Sequence, residues 1–197
     1  MALDVSSFRV VAVTDTCAVW NILSARVLNR AAVIAGCCFS VTDFVLYECL
    51  VKPRRGMTSS DKELQARLRV ARDAGQFQAY ALDVEDLQDI EILEKRRNLS
   101  KGELAAIAFA RKTRQAFVTD DQGARRLAAA VMDPSAVQTT PHLLGWLVFA
   151  GHLGDSDIDG IVAEHEGFDR PLAKFLRAMH AEAMRCRLLS RLIPGRA

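Results

Sequence analysis

Two adjacent carboxylates, Asp120 and Asp121, stand in "FVTDDQGARRLA", where an apolar run gives way to a helix-forming one. Neighbouring anions repel, and each is costly to desolvate. A turn accounts for one of them. Three more acids interrupt apolar surroundings: Asp15 ends "FRVVAVTD", Glu48 lies within "FVLYECL", and Glu103 opens "GELAAIAFA". Unpaired acids brought to one rim would raise one another's pKa values. A hard divalent cation relieves that repulsion, and Mg²⁺ or Mn²⁺ takes oxygen ligands of this kind.

Whether the acids can meet depends on the elements that carry them. "FRVVAVTD", "CCFSVTD" and "AFVTD" are β-branched, apolar and end on a polar residue, as buried strands do. "FQAYAL" and "SAVQTT" are weaker strand candidates. Between them the spacing predicts helices: Thr16 to Gly36 with a break near Ser24, "DFVLYECLV" capped by Thr42 or Asp43, and Thr58 to Gln76. "DVEDLQDIEILEKRRN", "LSKGELAAIAFARKTR" and "DQGARRLAAAV" follow. From Pro141 the pattern is wholly helical, and Phe168, Leu172, Phe175, Leu176, Met179 and Ala183 trace one apolar face of the last helix. Alternating strands and helices predict a three-layer α/β/α sandwich around a mainly parallel sheet. In such a sheet Asp15 and Asp120–Asp121 land on the carboxyl edge, where the functional crevice lies. Glu48, two turns into its helix, and Glu103, in the first turn of its own, reach the same rim.

The 197 residues suit one domain with an appendage, expected as residues 1–141 and a helical extension at 142–197. The net charge of +2 does not announce a nucleic-acid binder, so any basic surface is local. Five cysteines without CxxC spacing, and His142, His152, His165 and His180 without ligand spacing, argue against zinc. Reduced cysteines, no leader and no apolar run of the roughly 20 residues a span requires point to a cytoplasmic protein with no membrane segment. The vicinal pair Cys37–Cys38, Trp20 and Trp146 read as packing residues.

"VTDTCAVWNIL", "SVTDFVLYECL" and "LSKGELAAIAFARKTRQAFVTDDQGARRLA", in that order, resemble the successive signatures of PIN-domain nucleases, including VapC-type toxins, across roughly Val10 to Thr139. The resemblance implies a metal-dependent ribonuclease using one or two Mg²⁺ or Mn²⁺ ions and leaving a 5′-phosphate. It makes Asp15 the first metal ligand, Glu48 the mid-domain acid and Glu103 the third, where many members carry Asp. It favours Asp121 over Asp120 as the last, with Asp120 in reserve. Thr16 would orient ligands or water. RNA is the implied substrate, a type II toxin the first biological role, and an antitoxin and a homodimer the possible partners.

Each acid also has a plain structural account. Ser100 and Glu103 fit a capping box, and Asp15 and Asp121 suit helix N-caps. Taken singly these accounts are good; none explains the convergence. Glu48, on an otherwise apolar helix, needs a partner or an ion. Arg125 could bind a phosphate, or pair with Asp121 four residues earlier. "KPRRG", "KRR" at Lys95–Arg97 and "RKTR" read as solvated charge. The rival functions are an RNA-processing nuclease outside a toxin pair, favoured by the long helical C-terminus, and a non-catalytic interaction module. A phosphatase or a phospho-accepting receiver fits poorly: a receiver expects a second acid by the first strand and a Lys after the last.

Overall fold

The computed structural model describes residues 4–53 and 56–192, so Arg54 and Arg55 of "KPRRG" and Ile193 at the end of the last expected helix lie outside them. Strands β1 (Val11–Thr14), β2 (Cys38–Thr42), β3 (Gln78–Tyr80), β4 (Ala116–Val118) and β5 (Val137–Gln138) form one sheet in the order β3-β2-β1-β4-β5. Every pairing is parallel. The helices in chain order are α1 (Thr16–Ser24), α2 (Arg26–Ile34), α3 (Asp43–Leu50), α4 (Ser59–Asp73) and α5 (Val84–Arg96). They continue as α6 (Lys101–Thr113), α7 (Gln122–Val131), α8 (Thr140–Phe149), α9 (Asp157–Gly167) and α10 (Ala173–Leu192). The architecture is the three-layer α/β/α kind, with a sheet that is wholly rather than mainly parallel among the described residues. No helix of the described residues is long and apolar enough to cross a membrane.

One compact unit comprises Arg9–Leu23 and Cys37–Thr139 and holds the whole sheet. Its central strands are apolar on both faces, as a covered parallel sheet requires: Ala12, Val13, Phe39, Val41, Phe117 and Val118 are all buried. Helix α6 packs across β1, β2 and β4 and against α3, α5 and α7. That position buries every residue from Leu104 to Ala110, where the sequence had marked only a stripe through Ile107 and Ala108. The ambiguous "FQAYAL" supplies β3, a short exposed edge strand. The Cys37–Cys38 pair corrects an expectation. Cys37 is buried but Cys38 is exposed, because neighbours at a strand's start face opposite ways.

The second unit comprises residues 4–8, Ser24–Gly36 and 140–192. Helix α8 is buried along nearly all its length, and α10 packs on it and on α9. Gly145 permits the approach, since a Cβ there would lie 3.2 Å from both Met179 Cε and Val5 Cγ1. Trp146 packs as expected, its ring stacked on Phe8 with centroids 5.5 Å apart. The last helix is shorter than its pattern suggested. Phe168 is the C-cap of α9, and Asp169 enters the left-handed region at φ 53°, so neither Phe168 nor Leu172 belongs to α10. Phe175 is 57% exposed, because the buried stripe runs one position on, through Leu172, Leu176, His180 and Ala183.

Candidate active site

The chain order reverses at β1, which has β2 on one side and β4 on the other. Such a switch point opens a crevice beyond the strand ends. The register pairs Thr14 with Val118, so the residues that leave β1 and β4, Asp15 and Thr119, emerge side by side. Asp15 is fully buried. Its Oδ1 accepts from the Ala18 amide at 2.8 Å, capping α1, and its Oδ2 accepts from the Thr119 hydroxyl. Burial nevertheless pushes the carboxyl up to about 7; the Thr119 and Ala18 donors oppose the rise, and repulsion from Asp120 and Glu103 adds to it.

Glu48 arrives on α3, whose N-cap is Thr42, with its hydroxyl oxygen accepting from the Val45 amide at 3.5 Å. The half-buried Glu48 finds two neutral partners. Thr16 Oγ1 donates to Oε2 at 2.6 Å, and the Gly102 amide donates to Oε1 at 3.2 Å. Glycine at position 102 lets the Glu48 carboxylate lie where it does, because a Cβ there would stand 2.4 Å from Glu48 Oε2 and 2.7 Å from its Cδ. Glu103 follows in the first turn of α6, within a complete capping box. Its Oε2 accepts from the Ser100 amide at 2.8 Å while Ser100 Oγ accepts from the Glu103 amide at 3.2 Å. Burial raises the Glu103 carboxyl; the Ser100 donors oppose this, and repulsion from Asp121 and Glu48 reinforces it.

The doublet is held the same way. Asp120 Oδ2 accepts from Asn21 Nδ2 at 2.7 Å, and Asp121 caps α7 by accepting from the Ala124 amide at 2.7 Å. Asp120 acts electrically on Asp15, and Asp121 on Glu103, so both members lie within reach of the group. The structure therefore gathers Asp15, Glu48, Glu103, Asp120, Asp121 and Thr16. Arg125 lies exposed on α7, four residues after Asp121. A second arginine, Arg97, lies beside Gly123. A Cβ on Gly123 would lie 2.8 Å from Asp121 Oδ1 and 3.3 Å from Arg97 Nε, so this glycine leaves room for both groups.

A divalent cation suits these donors chemically, since all are hard carboxylate oxygens, and burial, with mutual repulsion adding to it, raises two of them. Each carboxylate is turned onto a protein hydroxyl, amide or carboxamide, and as they stand no three His, Cys, Asp or Glu groups among the described residues are placed to hold a metal ion. Three residues that hold this arrangement went unmarked in the sequence. Asn21, buried within the apolar "AVWNIL", carries the same signal as Glu48. Thr119 stands between strand and doublet. Gly102 gives no local signal, because it acts on a residue distant in the chain.

A family model described as DUF3368, PIN domain, matches residues 12–132, more than half of the chain. Neither a curated protein nor a solved structure matches it.

Proposed function

The chain belongs to the PIN-domain family, whose members are generally nucleases, and from that premise we propose that it is a divalent-cation-dependent endoribonuclease. The observation that carries this reading is the convergence of five carboxylates at the β1–β4 switch, where burial foremost, with repulsion from neighbouring carboxylates adding to it, raises Asp15 and Glu103. Asp15, Glu48, Glu103 and Asp121 would hold Mg²⁺ or Mn²⁺, with Asp120 beside them. Bound there, one or two such ions lower the pKa of a water and neutralise charge on the phosphate and leaving oxygen.

The chain's own groups do the rest. Thr119 and the Ala18 amide fix the Asp15 carboxylate, Thr16 and the Gly102 amide fix Glu48, and the capping box fixes Glu103. Glu103, raised by its partial burial and further by Asp121 and Glu48, is suited to accept the proton of an attacking water. Arg97 offers a planar cation for the RNA backbone on the Asp121 side. Hydrolysis on this pattern leaves a 5′-phosphate.

As a biological role we favour a type II toxin neutralised by an antitoxin protein. The helical sequence beyond Thr139 favours RNA processing outside such a pair as the second reading, with the exposed side of α10, where Phe175 and Leu188 stand, as the candidate surface for self-association. The five free cysteines suit a reducing cytoplasm. The test is incubation of the purified chain with a mixed RNA pool. Cleavage with Mn²⁺ that stops in chelator, and is absent in Asp15→Asn, supports the reading; cleavage unchanged in chelator refutes it.

A further inference from the structure

Against α3 lies a cavity of about 640 Å³ that shares Glu48 and Ser100 with the carboxylate site. Phe44, Tyr47 and Glu48 stand at positions i, i+3 and i+4, so one face of α3 presents two aromatics beside an acid of the rim. Leu82 and Leu87 complete an apolar wall, and the exposed Lys52 and Lys101 also line the cavity. Tyr47 is 47% exposed and Leu87 48%. An apolar concavity left open next to a strongly charged site is a feature of ligand pockets.

Resting on the nuclease reading, we infer that this cavity is a nucleobase subsite: it takes the unpaired base next to the scissile phosphate, stacked on Tyr47 and Phe44. The chemistry matches part by part. A base has two apolar π-faces, which aromatic side chains cover whatever its sequence. Its phosphate carries an anion, and two lysines flank the space. Lys101 now pairs with Glu94 at 2.6 Å, a solvent-exposed contact that a phosphate can replace. The volume suits a nucleotide, within the range of roughly 300–1,000 Å³ seen for small-ligand sites. A base in a duplex is stacked on its neighbours and cannot enter. The subsite therefore selects unpaired RNA.

The test measures affinity apart from cleavage. A short fluorescent unpaired oligoribonucleotide is titrated with wild type, Tyr47→Ala and Tyr47→Phe in chelator, and Mn²⁺-dependent kinetics are then compared on the same strand alone and in a duplex. Tyr47 is half-exposed, so its truncation spares the core. The expected result is binding weakened roughly tenfold in Tyr47→Ala and restored in Tyr47→Phe. KM rises correspondingly, kcat changes little, and the duplex is a poor substrate. Equal affinity in wild type and Tyr47→Ala overturns the subsite, including the case in which the cavity takes an apolar segment of a protein partner. If no cleavage occurs at all, the nuclease reading fails while the affinity series still decides whether the cavity binds a base.

Discussion

Asp15 is fully buried, and burial pushes its carboxyl up to about 7, against about 4 for an exposed aspartate. Between those values the native state holds a proton that the unfolded chain has lost. Stability therefore falls as pH rises from about 4 to about 7, and the penalty is complete above that. The full effect is on the order of a few kcal/mol. In chelator, denaturation midpoints of the wild type should decline through this window, whereas Asp15→Asn should show little slope and be the more stable protein near pH 7.5. Asparagine can still accept from the Ala18 amide, and the Thr119 hydroxyl can rotate to accept from its amide. Added Mn²⁺ should raise the midpoint of the wild type and leave that of Asp15→Asn unmoved. An Asp15→Asn protein less stable than wild type at every pH would show that this carboxylate serves the fold alone.

At the scale of one element, the first turn of α6 performs two tasks that substitution can separate. Ser100→Ala removes a cap and should cost about 1 kcal/mol of stability while leaving cleavage within a few-fold. Glu103→Gln keeps the reciprocal box, since glutamine also accepts from the Ser100 amide, yet should lose roughly 100-fold or more in cleavage. Equal losses of activity in the two variants would assign Glu103 to the cap only. Gly102→Ala tests the neighbouring contact. A methyl at that position displaces the Glu48 carboxylate, from which it would stand 2.4 Å, while alanine favours the helix by about 1 kcal/mol. The melting temperature should hold or rise while activity falls roughly tenfold or more. The capping residues and strand ends of this site are legible in sequence because each obeys a local rule. The Glu48–Gly102 contact is not, because the space around a Cβ depends on a residue 54 positions away. Cys38, Phe168 and Phe175 were misplaced for a related reason: periodicity shows that an apolar face exists, but packing decides where it starts and stops.

For the molecule as a whole, the division into units bears on what can be removed. Helix α2 lies early in the chain but packs on α8 and α9, in the unit that also holds residues 4–8 and α10. Deleting residues 142–197 would strip α2 of those partners, and the shortened chain should melt well below the full one or aggregate on expression. A truncated chain that folds and cleaves like the full one would make the C-terminal helices a separable appendage. The sheet and its parallel sense follow from strands alternating with helices, and with them the edge on which the acids gather; the strand order, with its reversal at β1, does not. The approach of Arg97 to Gly123 does not follow, because no local rule brings the end of α5 beside the start of α7. The central claim is spatial, that carboxylates scattered from Asp15 to Asp121 serve one shared cation. The most direct test is an anomalous difference map from crystals of the full chain soaked in Mn²⁺. The expected map has its strongest peak, as one ion or a close pair, among Asp15, Glu48, Glu103 and the Asp120–Asp121 doublet; peaks only elsewhere, or none in crystals that diffract well, would contradict it.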